Sequence, residues 1–485
     1  MLIHLIILIP LAGALISLLA GKNNQSLSKN IALLGSLISL VVFIYAAIQH
    51  QAGNTELLSL NKPWLPEMNL ALKFSVDGIS LLLIALSQVL IPLIILSTSK
   101  IEYHKSHLLY ALILVTQSAL VGVFSAKDIF LFYFFFEAAL VPAYFIALNW
   151  GNKESSKASF KMFIYTIFGS LIMLVALVFL YSKGQTADMD ALISTAEFMP
   201  SGVQRALFWA FLLAFAIKMP LFPMHTWQPD AYTTSPTPAT MLLSGLLSKM
   251  GVYGLIRIAL PLSPWAAEHY SVIVIGMAVI GLIYGSIIAI KQDSIKRLIA
   301  YSSFAHMGLM AAGVFSGNIE GLQGAVFQML AHGVNAVGLF FVAKIIFERT
   351  GSRSLSSLGG LNKTAPALSI FFMIILLGSV ALPLTNGFVG EFLMLKGLFE
   401  KHQLLGIIAG LSIILGAVYM LRLFQKTMFG ESNELTESVE DVSGIEKLTL
   451  AIISGLVILM GVFPNVLLKV SEPASEALLN LLAKI

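Results

Sequence analysis

The feature that most constrains this chain is a recurring run of about twenty apolar residues, repeated along almost its whole length. A run that long crosses a bilayer core of roughly 30 Å, because only a helix satisfies its own backbone hydrogen bonds there. Fourteen such runs are predicted, near 2–20, 30–49, 78–98, 108–125, 129–149, 160–182, 204–222, 238–258, 270–290, 295–315, 321–346, 367–395, 404–425 and 447–468. The expected fold is an all-α integral membrane protein. Composition agrees: 58% of residues are hydrophobic and 11% charged, too few charges to cover a water-soluble surface of this size. The first twenty residues carry no Lys or Arg, which is the wrong flank for a cleaved signal, so they read as a retained first helix.

Charge and motif content remove whole classes of function. A net charge of +4 built from scattered clusters forms no basic face for nucleic acid. Cysteine is absent, so no disulfide, thiolate metal site or cysteine-held iron-sulfur cluster belongs to this chain. No Gly-rich phosphate loop or GxGxxG motif occurs. Counting basic residues between spans puts seventeen on one side, including Lys22, Lys29, Lys291, Lys296, Arg297, Lys344, Arg353 and Arg422. The other side holds ten, including Lys62, Lys73, Lys127, Arg257 and Lys484. The richer side is expected to be cytoplasmic, with both termini outward.

Three landmarks recur at nearly one offset: Asp128 and Asp293, Pro220 and Pro383, and Val252-Tyr253 with Arg257 against Val418-Tyr419 with Arg422. They suggest two copies of a five-helix unit, and an odd number of spans gives consecutive copies inverted topology, as in many transporters. The expected organisation is an N-terminal three-helix segment over 1–107, repeats over 108–260 and 261–428, and an acidic loop with a C-terminal helix over 429–485. Pro220 and Pro223 in the seventh span, and Pro383 followed by Asn386-Gly387 and Gly390 in the twelfth, predict broken helices. Matching breaks point to an ion path, with a packing kink as the plainer reading.

Ionisable residues inside spans carry the chemistry. Glu137, Lys218, Lys249 and Glu391 each cost around 2.5–3.5 kcal/mol at the bilayer centre on insertion scales, so they must be paired, solvated or intermittently neutral. A static Glu137–Lys218 ion pair that fixes packing is the bland reading; a pair that loosens when a proton arrives is the functional one. Lys249 reads as a proton donor rather than a snorkelling lysine. His306 and His332, the latter with Gln328 and Asn335 in its span, suit a proton relay; His225 beside Trp227 is a secondary candidate. A haem held by histidines would explain none of the buried lysines. Gly281 with Gly285, and Gly317 with Gly321, read as helix packing. Glu431, Glu434, Glu437, Glu440 and Asp441 read as a solvated loop.

Three runs carry a resemblance. Phe136-Glu137-Ala138 with Pro142, the stretch Lys218-Met219-Pro220-Leu221-Phe222-Pro223-Met224-His225-Thr226-Trp227-Gln228-Pro229-Asp230-Ala231, and Ser248-Lys249-Met250-Gly251 resemble the antiporter-like membrane subunits of respiratory complex I. The resemblance spans essentially the whole chain. In that family the residue on the broken twelfth helix is usually Lys. Here it is Glu391, which argues against the L-like and N-like sister chains and the antiporter subunits, and resembles the M-type (chain 4) branch. The resemblance implies a fourteen-helix core with two inverted repeats, a first pair of Glu137 and Lys218, a link through Lys249 and the histidines, and a relay ending at Glu391. It also implies proton translocation driven by NADH oxidation and quinone reduction in partner chains, which would hold the FMN, iron-sulfur clusters and quinone, with L-like and N-like chains as neighbours in a bacterial inner membrane. No cofactor or metal is expected on this chain. The competing readings are a subunit of a multisubunit Na+ or K+/proton antiporter or a membrane-bound hydrogenase, and a structural spacer that only links subunits.

Overall fold

The computed structural model describes residues 2–22 and 24–483; Lys484, counted above among the outer basic residues, lies outside them. Chain order gives α1 (Ile3–Ala20), α2 (Gln25–Gln51), strands β1 (Leu60–Leu65) and β2 (Leu70–Phe74), α3 (Gly78–Leu96), α4 (Ser106–Ser125), α5 (Ile129–Ala138), α6 (Leu140–Trp150), α7 (Ser155–Gly184), α8 (Met189–Ala196) and α9 (Ser201–Lys218). Then come α10 (Gln228–Thr234), α11 (Thr237–Leu242), α12 (Lys249–Gly254), α13 (Leu260–Leu262), α14 (Pro264–His269), α15 (Ser271–Lys291), α16 (Ile295–Val314) and α17 (Ile319–Thr350). The chain closes with α18 (Leu361–Thr364), α19 (Pro366–Ser379), α20 (Asn386–Lys401), α21 (Gln403–Met428), α22 (Gly444–Val462) and α23 (Pro464–Leu482).

Twelve helices among the described residues are long and apolar enough to cross a membrane. Two of the fourteen expected runs fall outside that set. The run near 295–315 is α16, whose sequence is diluted by Lys296, Arg297, Ser302, Ser303 and His306. The run near 367–395 is split between α19 and α20 by the segment 380–385. That break, and the irregular stretch 219–227 after α9, fall where the prolines predict them, since a proline nitrogen cannot donate to the turn before it.

The chain forms two compact units. One comprises residues up to 219, 246–270 and from 470 onward; the other comprises 220–245 and 271–469. In the first, α1, α2 and α4 pack together, and α9 packs against α7 and α12. In the second, α15 pairs with α16 and α17 with α20.

Four expectations need correcting. The N-terminal segment is not purely helical: β1 and β2 form an antiparallel hairpin between α2 and α3, built around Pro63, Trp64 and Pro66, whose exposed positions need no helix. Lys296 and Lys344 are not loop cations; both are buried on helices. Asp441 is not simply solvated, because its carboxylate accepts from the amides of Ala367 (2.8 Å) and Leu368 (3.0 Å) at the start of α19, which complements donors that a helix start leaves over; Glu431, Glu434, Glu437 and Glu440 are exposed.

The fourth correction concerns register. Ile129 N donates to Ala187 O at 2.9 Å and Met189 N to Lys127 O at 3.0 Å in the first unit. Ile295 N donates to Arg353 O at 2.9 Å and Leu355 N to Asp293 O at 2.7 Å in the second. The two bridges use positions 166 residues apart, an offset that sets Asp293 against Lys127 and Asp128 against Ser294, not Asp128 against Asp293. The helices leading into the two bridges also end alike: Gln185 after α7 and Gly351 after α17 are both left-handed.

Candidate functional site

In the first unit, α5 begins at Asp128, whose carboxylate accepts from the amides of Phe130 (2.9 Å) and Leu131 (3.0 Å), a standard N-cap. The helix runs to Ala138 and is interrupted at Ala139, because Pro142 cannot donate to the Ala138 carbonyl. Glu137 therefore sits on the last turn before a break, half-buried.

Lys218 ends α9 for the same reason, since Pro220 and Pro223 follow it. It is 5% exposed, and its ammonium lies over the Phe136 ring, 4.7 Å from the centroid, a cation–π contact. Glu137 and Lys218 act on each other through space without closing to ion-pair distance. Lys249 is fully buried, with its Nζ 3.4 Å from Ser248 Oγ. It opens the six-residue α12, which lies between two π-helical turns, Leu243–Leu247 and Leu255–Ala259. Such turns recur at functional sites. Nothing in the proline pattern marks them; Gly245, Gly251 and Gly254 are the only local signal.

In the second unit the decisive contact is between His306 and Glu391. His306 Nε2 and Glu391 Oε1 are 3.0 Å apart, and His306 Nδ1 is 2.8 Å from the Ser302 carbonyl. The carbonyl only accepts, so Nδ1 carries a proton; Nε2 then accepts from a protonated Glu391 or, in the imidazolium, donates to the carboxylate. The His332 ring lies 5.6 Å from that of His306. Tyr419 donates to Ser302 Oγ at 3.2 Å.

Two glycines deliver Glu391 to this place. A Cβ at Gly387 would come within 2.0 Å of the Gly378 carbonyl, and one at Gly390 within 2.4 Å of Gln328 Oε1. Any side chain there would push α20 away from α19 and α17. Two cavities of about 10 Å³ flank His306, each roughly the space of one water. One is lined by Ser302, Ser303, Gln328, His332 and Asn335, the other by Ser286, Glu391, Ser412 and Tyr419. The buried oxygens of Gln328, Asn335 and Asn386 have no protein donor, which is what water acceptors would look like. The sequence pattern missed Ser379, which lines both cavities, and the part of Tyr419 at this site; Tyr419 stood out only as a repeat landmark.

His225 belongs to a different setting. Its ring stacks on Phe304 (centroids 4.3 Å apart) and meets Tyr284 edge-on at 5.4 Å, while Gly281 and Gly285 leave room for Phe222 and Phe304. Among the described residues, no group of three or more His, Asp or Glu side chains is placed to hold a metal ion.

Residues 126–416 match the family described as NADH:quinone oxidoreductase/Mrp antiporter, TM. The chain belongs to that family. The match begins just before Asp128 and contains Glu137, Lys218, Lys249, His306, His332 and Glu391, while Tyr419 lies three residues beyond its end. Within the family, the chain is 38% identical to NADH-quinone oxidoreductase subunit M of Rickettsia typhi over 98% of each chain. It is 35% identical to F(420)H(2) dehydrogenase subunit M of Methanosarcina mazei over 99% of this chain and 98% of that one. Among solved structures, a chain of respiratory complex I from Thermus thermophilus with bound NADH superposes with a TM-score of 0.91 at 33% identity, covering 99% of this chain and all of that one.

Proposed function

We propose that this chain is a proton-translocating membrane subunit of an NADH:quinone oxidoreductase of the complex I type, acting as its M-type chain. The observation that carries this reading is the His306–Glu391 contact: a buried carboxylate on a broken helix, facing a histidine, in a chain similar to M subunits end to end. Redox chemistry, with its FMN, iron-sulfur clusters and quinone, belongs to partner chains. The Methanosarcina relative carries a different donor in its name, which supports leaving the donor to those partners. L-like and N-like chains are the expected lateral neighbours. The membrane is the bacterial inner membrane, with both termini outward by the distribution of basic residues.

The proton moves along groups that can each hold it for a time. Protonation of Glu137 removes the negative charge that favours the Lys218 ammonium, so Lys218 releases its proton toward Lys249. In the second unit, His332, His306 and Glu391 form the corresponding chain, with the two water-sized cavities as intermediate stations. His225, ringed by aromatics, serves as a secondary member. The twin bridges 166 residues apart support reading 108–260 and 261–428 as two inverted copies of one unit, with 1–107 and 429–485 as flanking segments.

The test is proton pumping against NADH–quinone turnover in membrane vesicles carrying Glu137→Gln, with assembly checked on a native gel. Loss of both activities in an assembled complex is the expected result. Normal pumping and turnover would remove Glu137 from the mechanism, and failure to assemble would favour a structural spacer.

A further inference from the structure

Lys296 is the second residue of α16 and is 3% exposed. Its Nζ donates to the backbone carbonyl of Ser235, the residue that ends α10, at 2.5 Å. Among the described residues, no carboxylate lies at ion-pair distance from it. The charges around it are either cationic or already engaged. Arg353, in the turn that bridges to Ile295, repels it. Asp230 of α10 faces Arg297 at 3.7 Å, and Glu348 of α17 is held by Lys344 at 2.8 Å. Asp293 is engaged by the Ser354 and Ser356 hydroxyls and the Ser356 amide, and Arg422 of α21 caps the Ile290 and Gln292 carbonyls. The positive end of a 20-residue helix adds to the same field.

A lysine kept only for its charge would be matched with a carboxylate at such depth. This one is matched with a carbonyl, which accepts from an ammonium and, more weakly, from a neutral amine. The contact therefore survives loss of the proton. We propose that Lys296 is a further proton-carrying residue of the second unit, taking a proton from water at the more basic end of that unit and passing it to water in the interior. The step is a plain transfer: a water-borne proton adds to the amine, and the ammonium returns it to a second water with no electron moved. This inference rests on the translocation reading above.

Arginine keeps the charge and can still donate to the carbonyl, but it does not give up its proton in proteins. Lys296→Arg, Lys296→Met and Lys296→His are made in the whole complex, alongside Glu391→Gln. Pumping and quinone-linked turnover are followed from pH 6 to 9, with assembly on native gels. The expected result is at least tenfold loss of pumping in assembled Lys296→Arg and Lys296→Met, with Lys296→His retaining activity whose optimum moves to lower pH. Wild-type pumping in Lys296→Arg would make Lys296 a fixed cation that closes α10 and overturn the proposal. Should Lys296→Arg fail to assemble, equal pumping by the His and Met variants at every pH would overturn it. Normal pumping in Glu391→Gln would instead bring down the translocation reading itself.

Discussion

His306 Nε2 and Glu391 Oε1 lie 3.0 Å apart although 85 residues separate them in sequence. Both side chains are nearly buried, at 12% and 7% exposed. A hydrogen bond between titratable partners at that depth lets a proton shift from one atom to the other without either group losing its partner. Glu391→Gln keeps the shape but cannot take the proton, so pumping is expected to fall at least tenfold in an assembled complex. Glu391→Asp, which keeps the carboxylate but draws it back, is expected to fall between the two. Vesicle proton uptake per NADH oxidised reads both.

The Lys218 ammonium depends on the Phe136 ring as well as on Glu137. The cation–π contact at 4.7 Å is worth about 0.5–2 kcal/mol, more where desolvated. Phe136→Leu removes the ring face and keeps the bulk. It is expected to reduce turnover several-fold and to move the pH profile of turnover, whereas a purely structural ring would change neither beyond any loss of assembly.

Lys249 is placed by two glycines on its own short helix. A Cβ at Gly251 would meet the Met219 amide nitrogen and the Phe215 carbonyl, both at 2.8 Å, while a Cβ at Gly254 would meet the Phe215 ring at 2.2 Å. Backbone cannot yield as a ring can. Gly251→Ala is therefore expected to cost more than Gly254→Ala, with overpacking of this kind typically costing about 1–3 kcal/mol. Adding Phe215→Leu should restore Gly254→Ala but not Gly251→Ala, read by thermal stability of the purified complex.

The hairpin is pinned by Lys73 of β2 against Asp188 and Asp190. Burial acts to raise the Asp188 carboxyl, but the Lys73 ammonium and two backbone amides outweigh it and hold the group below its ordinary value. Burial likewise acts to lower Lys73, and its acidic partners outweigh that and raise it. A depressed carboxyl adds stability above its unfolded value, near 3.9, and loses it as pH falls through the folded value. A raised lysine adds stability below its unfolded value, near 10.4, and loses it as pH rises through the folded one. Hairpin anchoring should thus be flat between about pH 5 and 10 and weaken in acid. Lys73→Ala should loosen it at neutral pH by no more than about 1 kcal/mol, since both groups are partly exposed. Amide exchange over β1 and β2 measures this.

Much of this protein was legible before any coordinates. Apolar run length and scarcity of charge are local, additive properties, so they announced a membrane protein and the positions of its twelve membrane-length helices, but not short ones such as α8 and α10 or the C-terminal α23. Pro220, Pro223 and Pro383 act on the turn just before them, so the breaks beside Lys218 and Glu391 could be read from the chain, as could the family; the interruption at Ala139 beside Glu137 could not, since the run 129–149 reads as one span. Side-chain pairing could not. The meeting of His306 with Glu391 depends on how closely α20 approaches α17 and α19, which Gly387 and Gly390 permit but no pattern announces. Lys296 reads as a loop cation by position, yet it is buried because α10 folds back over the start of α16. The π turns around Lys249 arise from packing rather than from a local breaker. One-dimensional pattern fixes what a segment is; which charges meet, and which are left to carry a proton, is decided by distances between segments far apart in sequence.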